Sequence, residues 1–217
     1  MSVQNNLLEI KAHLPEHVTL VAVSKTKPVA DLMEAYAAGQ RIFGENKIQE
    51  MVEKFEQMPK DVQWHMIGHV QTNKVKYMAP FVSLIHGVDS LKLLEEINKQ
   101  ALKNNRIIDC LLQVHIAEEE TKFGLDATEL NEILQLLQHN HFTNVRIIGL
   151  MGMATFTENQ DQIKKEFLHL KAIFDDFSKH DARCSVLSMG MSGDYPLAIE
   201  CGSTMVRIGS SIFGGRK

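Results

Sequence analysis

The sequence has 217 residues, 44% of them hydrophobic, and its 23 basic and 27 acidic side chains give a net charge of −4. This composition is ordinary for a globular protein with a full core, and the length suits one large domain. The absence of a long basic run argues against nucleic acid as a partner. No apolar run approaches the roughly twenty residues that span a membrane, and the amino end does not resemble a signal peptide.

The cysteines and histidines indicate a reducing compartment and no metal. Cys110, Cys184 and Cys201 are few, odd in number and without a CxxC pair. Scattered cysteines of this kind are typical of reduced thiols in cytosolic proteins. The ten histidines and three cysteines do not combine into a zinc-site pattern. We therefore expect a soluble, cytoplasmic protein without a metal centre.

Strand and helix patterns alternate along the whole chain. A helix over Val3–Leu14 comes first, and we expect it to cover one end of the core. The predicted strands are Leu20–Lys25, Arg41–Gly44, Gln63–Gly68, Val82–Gly87, Ile107–Ile116, Val145–Met151, Ser185–Met189 and Thr204–Gly209. Helical periodicity between them covers about 29–39, 48–55, 72–78, 90–101, 126–137, 163–177 and 196–201.

Eight strands alternating with helices predict a single (β/α)8 TIM-type barrel over residues 1–217, with the extra N-terminal helix. Ser90 is a predicted N-cap, and Asp126 with Glu129 resembles a capping box. No linker or internal repeat divides the chain. A doubly wound open sheet is the main alternative, because it produces the same alternation.

Lys25 is the first candidate for chemistry. It follows the apolar run Leu20–Val23, and Pro28 prevents the strand from continuing. The carboxyl ends of strands are where α/β folds place their active groups. A lysine partly stripped of water there has a depressed pKa and becomes an amine nucleophile. The alternative is a lysine that tops a strand and reaches solvent.

The loops after the last two strands predict a phosphate site. They read Gly190–Asp194 and Gly209–Ser211, which are small, glycine-bearing and rich in hydroxyls. Barrels commonly hold phosphate at these two loops, with backbone N–H groups facing the anion. Arg207 interrupts the apolar eighth strand, so its guanidinium needs an acceptor inside the barrel mouth. That acceptor is either a ligand or one of the acidic side chains.

A lysine nucleophile, a phosphate cradle and a buried arginine suit two kinds of barrel. One binds pyridoxal 5′-phosphate (PLP), with the lysine as its Schiff-base partner. The other is a phosphosugar aldolase of the Schiff-base class, which needs the same lysine and cradle. The residues by themselves leave both possibilities open.

Six ordered motifs favour the first possibility. They are Ala22–Pro28, Phe43–Asn46, Trp64–Gly68, Gly149–Met151, Ser188–Asp194 and Gly202–Gly209. With these motifs, over nearly its whole length, the chain closely resembles the pyridoxal phosphate homeostasis proteins, relatives of the N-terminal barrel domain of alanine racemase. The family has regulators or carriers of PLP that influence vitamin B6 and amino-acid balance.

The resemblance also assigns roles to residues. It implies that Lys25 forms the Schiff base, that Ser192 and Gly209–Ser210 hold the phosphate, and that Arg207 faces the pyridine nitrogen. The implied cofactor-binding set is Lys25, Asn46, His65, Met191, Ser192, Arg207, Gly209 and Ser210. The expected partners are PLP itself and PLP-dependent apoenzymes.

Two features predict a carrier rather than an enzyme. The chain ends at Lys217, soon after the eighth strand, so we expect no second β domain of the alanine racemase kind and a monomer. A permanent cation at the pyridine nitrogen disfavours its protonation and weakens the ring as an electron sink. We therefore predict no robust catalytic activity, with a weak amino-acid racemase-like enzyme as the alternative.

Several residues around the predicted site have open roles. Lys27 and Lys122 are candidates for secondary PLP sites, although solvated loop lysines are common. The family often has an aromatic residue or arginine where this chain has Lys47, and a proline where it has His69. These departures affect only the rim of the site.

Overall fold

The computed structural model describes residues 2–118, 123–139, 141–179 and 183–215. These residues form a closed barrel in which every strand is parallel to both of its neighbours. The strands are Thr19–Val23 (β1), Ile42–Glu45 (β2), Gln63–Met66 (β3), Leu84–Val88 (β4), Ile108–Gln113 (β5), Val145–Met151 (β6), Val186–Met191 (β7) and Met205–Ile208 (β8).

Helices cover the outside of the barrel. They are Val3–His13 (α1), Val29–Ala37 (α2), Ile48–Gln57 (α3), Val75–Met78 (α4), Leu91–Lys103 (α5), Ala127–Gln138 (α6), Gln160–Ser178 (α7), Tyr195–Glu200 (α8) and Ser210–Phe213 (α9). A 3-10 turn, Thr72–Lys74, leads into α4. Within the described ranges, no helix is both long and apolar enough to cross a bilayer.

Closure of the sheet confirms the barrel over the open-sheet alternative. β1 pairs with β2 on one side and with β8 on the other, and Val21 lies opposite Arg207 in the second pairing. The strands are buried on both faces, as in the fully buried β4, because helices cover one side and the barrel interior the other. One apolar cluster of the interior consists of Val21, Leu84, Leu111, Met151 and Met205.

Local signals were accurate where they concerned helix starts. Ser90 accepts a hydrogen bond from the Leu93 amide, and Asp126 and Glu129 form the complete capping box. Strand ends were less accurate. β1 stops at Val23 rather than Lys25, and β5 stops at Gln113 rather than Ile116. The short α9 was not predicted, since four residues are too few to show helical periodicity.

Candidate functional site

A cavity opens at the carboxyl ends of the strands, and most of the predicted cofactor residues meet there. Its volume is about 380 Å³. Its wall contains Lys25, Asn46, Met191, Ser192, Arg207, Gly209 and Ser210. A larger cavity of about 760 Å³ lies between α6 and α7, and none of these residues line it. The chemistry of its wall, rather than its size, makes the strand-end cavity the candidate site.

Lys25 reaches the cavity from the turn after β1. The Ser24 amide donates to the Gly44 carbonyl at 3.0 Å, which extends the pairing of β1 with β2 by one residue. The chain then turns, with the Lys27 amide donating to the Ser24 carbonyl at 3.0 Å. Thr26 has a φ of 64°, a left-handed conformation that is rare for a β-branched residue. Lys25 is half-buried in this turn.

The loops after β7 and β8 meet each other at the cavity. The Gly209 amide donates to Ser192 Oγ at 3.2 Å, and the Met191 amide donates to the Asp194 carboxylate. Gly190 has a φ of 95°, which a glycine adopts without strain. Burial raises the pKa of Asp194 above its ordinary value, against the opposing effects of the Met191 amide and Arg207. The two small loops thus present hydroxyl and amide groups at one place.

Arg207 is a buried cation with neutral partners. Its side chain donates to the Ser188 carbonyl at 2.9 Å, to Ser188 Oγ at 2.6 Å and to the Gly152 carbonyl at 3.2 Å. Within the part of the chain that the structure describes, no carboxylate forms an ion pair with it. Burial lowers its pKa to about 10, while the charge of Asp194 acts in the other direction. Its charge is therefore left without a bonded anion at the cavity wall.

A chain of buried polar groups continues from Arg207 into the barrel. His86 Nδ1 lies 3.1 Å from Ser188 Oγ, and His86 Nε2 lies 3.0 Å from His65 Nδ1. Burial lowers the pKa of His65 to about 3 and that of His86 well below its ordinary value. Both imidazoles are therefore neutral at pH 7, and they add no positive charge near Arg207.

The structure places His65 differently from the other predicted residues. Its side chain does not line the cavity but contacts His86, which is linked to the wall through Ser188 and Arg207. Sequence reasoning missed His86 and Ser188. A signal was present for His86, which interrupts the apolar fourth strand as Arg207 interrupts the eighth.

The remaining rim residues have specific contacts. Lys27 Nζ donates to the carbonyls of Phe213 and Gly215, both at 2.9 Å, and so holds the segment after α9. Lys122 lies outside the described residues. The ring of Phe156, which sequence reasoning did not single out, is 90% exposed and lines the cavity. His69 stacks on Phe123 with ring centroids 4.4 Å apart.

Comparison with known proteins identifies the family. The family described as "Alanine racemase, N-terminal domain" matches residues 1–217. The pyridoxal phosphate homeostasis protein of Aquifex aeolicus is 40% identical over 200 residues, which cover 91% of this chain and 87% of the relative. The one from Pasteurella multocida is 36% identical over 231 residues, covering 100% of this chain and 98% of the relative. The chain belongs to the pyridoxal phosphate homeostasis protein family.

Solved structures agree with this family assignment. PipY of Synechococcus elongatus, solved without PLP, has a TM-score of 0.92 at 34% identity and covers 98% of this chain and 100% of PipY. The same protein with PLP bound has a TM-score of 0.88. Alanine racemase from E. faecalis has a TM-score of 0.75 at 16% identity and covers 58% of that enzyme, which is a likeness of fold alone. The resemblance inferred from the six motifs is confirmed.

Proposed function

We propose that this protein binds PLP in the strand-end cavity, as a Schiff base on Lys25, and holds and delivers it to maintain vitamin B6 and amino-acid homeostasis. The observation that carries the proposal is the buried Arg207 cation, which among the described residues donates its hydrogen bonds to neutral groups and lines the same cavity as Lys25. A buried charge of this kind favours a polar ligand. The PipY structure with PLP bound supports this choice.

The groups on the cavity wall fit a phosphate ester. Ser192 Oγ accepts the Gly209 amide, so its own O–H proton can be donated to an anion. A Cβ on Gly209 would lie 3.1 Å from the Val23 carbonyl oxygen, so glycine keeps this loop close to β1. The space around Gly193 is open, with no heavy atom within 4 Å of where its Cβ would be. Hydroxyls and amides on small loops suit phosphate.

Each proposed residue has one task. Lys25 would contribute its amine, Ser192 and Gly209–Ser210 would hold the phosphate, and Asn46 and Met191 would lie beside the ring. Bound PLP supplies an aldehyde that condenses with an amine, with loss of water, and a pyridine ring that withdraws electrons. Arg207 would face the pyridine nitrogen and would oppose its protonation, because two cations in a low-dielectric site repel. The ring is then a weaker electron sink.

The wall of the cavity favours a carrier over a racemase. Racemisation needs a proton donor and an acceptor on opposite faces of the substrate. Among the described residues, the titratable side chains on the wall are Lys25, Lys27 and Arg207. The Lys27 amine is bound to two carbonyls, and arginine does not give up its proton. The described part of this wall therefore offers no second acid–base group for such a reaction.

We also propose that residues 1–217 form a single domain and that the protein is a cytoplasmic monomer that passes PLP to PLP-dependent apoenzymes. The closed barrel of the described residues supports the first statement. The buried thiols Cys110, Cys184 and Cys201 suit a reducing compartment. Light scattering on the purified protein measures its mass, and activation of an apoenzyme by the loaded protein measures delivery.

The proposed function is tested first by an absorbance spectrum of the purified protein, followed by borohydride reduction and peptide mass mapping. We expect a yellow band whose reduction leaves a phosphopyridoxyl group on Lys25. Incubation with amino acids in D2O then separates carrier from enzyme, and we expect no exchange of the α-proton. A colourless protein that takes up no added PLP would contradict the proposal and favour a phosphosugar aldolase with Lys25 as its amine.

A further inference from the structure

Three charged residues, one at the end of β2 and two on α3, form a buried network. Lys54, on α3, donates to Glu45 Oε1 and Glu50 Oε1, in both cases at 2.7 Å. The side chains of Glu45, Lys54 and Glu50 are 0%, 6% and 21% exposed, respectively. None of the three residues lines the strand-end cavity. The network therefore lies outside the set of residues that would contact PLP.

This network bonds the peptide groups on both sides of Lys25. Lys54 Nζ donates to the Ser24 carbonyl at 2.7 Å, and the Thr26 amide donates to Glu50 Oε1 at 2.5 Å. The Ser24 hydroxyl donates to Glu45 Oε1 at 2.6 Å. The residues before and after Lys25 are thus each held by a side chain from β2 or α3.

The backbone at Thr26 needs such support. A φ of 64° places this β-branched residue in the left-handed region, which is strained and persists only where the surroundings impose it. The bond from the Thr26 amide to Glu50 is a contact that imposes it. A small change in this torsion rotates the preceding peptide and redirects the Lys25 side chain.

One oxygen of the network lacks a partner, which favours a positioning role over a purely stabilising one. Among the described residues, Glu45 Oε2 is buried with no hydrogen-bond partner. A buried acceptor left unpaired is destabilising, and buried ion pairs are often no better than apolar residues of similar size. Burial also raises the pKa of Glu45, against the opposing charge of Lys54.

We propose that Glu45, Glu50 and Lys54 form a clamp that orients the Lys25 amine toward the cavity, with Glu50 as the residue that holds the left-handed turn. They are positioning residues, since they act on the turn and not on the cofactor. The inference rests on the proposed function, because it assumes that Lys25 reacts with an aldehyde in the cavity.

The test compares how fast the apo protein forms a borohydride-trapped product at Lys25 with two aldehydes. PLP carries the phosphate, and pyridoxal lacks it. For Glu50→Ala we expect both rates to fall by the same factor, about tenfold, because the defect is in the amine's orientation. Glu50→Gln keeps an oxygen that accepts the Thr26 amide, so we expect it to retain most of the wild-type rate.

Two control variants isolate the effect. Glu56→Ala removes an exposed glutamate from the same helix and should match the wild type with both aldehydes. Ser192→Ala should lower the rate of product formation with PLP and leave the rate with pyridoxal unchanged. The melting temperature of each apo variant shows whether it is folded at the temperature of the assay. If Glu50→Ala cannot be purified, Glu50→Asp, which retracts the carboxylate by one methylene, replaces it with the same expectation.

The clamp proposal is wrong if the Glu50→Ala protein reacts with both aldehydes at the wild-type rate, even with a lowered melting temperature. A loss confined to PLP overturns it as well, since that result places the defect at the phosphate. Equal loss in Glu50→Gln and Glu50→Ala excludes the hydrogen bond to Thr26 as the cause. A wild-type protein that takes up neither aldehyde contradicts the proposed function itself, which is a separate outcome.

Discussion

The two halves of the barrel interior differ in chemistry although the same strands build them. In the amino half, Leu84 and Met205 belong to an apolar cluster. Two residues further along the same strands, in the carboxyl half, lie His86 and Arg207. Residues i and i+2 face the same side of a strand, so each strand passes from an apolar to a polar interior residue. The amino half can stabilise the fold while the carboxyl half holds the polar site.

The largest effect on the polar site is expected for Lys25→Ala, which should leave the stability of the fold unchanged. We expect complete loss of the trapped phosphopyridoxyl group, because the covalent anchor is gone. The free energy of unfolding of the apo protein should stay within about 0.5 kcal/mol, since Lys25 is only half-buried. Borohydride trapping and urea denaturation measure the two effects. Lys47→Ala, at an exposed lysine on the rim, is the control that should keep the trapped group, and an undiminished label in Lys25→Ala would contradict the proposal.

The reverse experiment is Leu111→Ala in the apolar cluster of the interior. Leu111 is fully buried, so its truncation leaves a cavity and should lower the free energy of unfolding by about 2–5 kcal/mol. We expect the PLP affinity of the folded protein to be unchanged. Urea denaturation and PLP titration measure the two quantities, with Leu102→Ala, which is 58% exposed, as the control. A matching loss of affinity would mean that the apolar cluster and the polar site are coupled.

Acidification should lower the stability of the folded protein, because two of its histidines are buried in the neutral form. Burial lowers the pKa of His65 to about 3 and that of His86 well below its ordinary value. Between pH 6.5 and 5 the unfolded chain therefore binds protons that the folded protein does not, and stability falls as the pH falls. Each histidine contributes up to about 1.4 kcal/mol per pH unit. The raised pKa of Glu45 acts in the opposite sense, since the folded protein takes up that proton first.

The measurement is the urea midpoint of the apo protein at pH 7 and pH 5. His86→Gln should reduce the loss of stability on acidification, because it removes one of the two buried imidazoles. His17→Gln, at an exposed histidine, should leave the loss unchanged. An unaltered pH dependence in His86→Gln would show that the buried pair is not its source.

The smallest expected effect is that of Ser192→Ala on PLP binding. The variant removes a hydroxyl that holds the Gly209 amide and would bind a phosphate oxygen, so we expect the Kd for PLP to rise by about fivefold, equivalent to ~1 kcal/mol. Titration with PLP and with pyridoxal measures it. Ser178→Ala, at the end of α7, is the control. If the Kd for pyridoxal rises by the same factor, Ser192 does not act through the phosphate.

Sequence reasoning was successful where the signal is local. The order of eight strands, the Ser90 cap and the Asp126–Glu129 capping box are each written in a few adjacent residues, and all are confirmed. The strand ends were less accurate, because the last pairing depends on a neighbouring strand. α9 was missed, since its four residues show no period.

The sequence alone determined the alternation of strands and helices and the placement of Lys25, Arg207 and the two glycine-hydroxyl loops at strand ends. Tertiary structure alone decided their partners. Arg207 found neutral acceptors on Ser188 and Gly152, which stand 19 and 55 residues away in the chain. Thr26 is held by Glu50, 24 residues further on. Such contacts form only when the strands close into a barrel, because closure brings together groups that no local pattern relates.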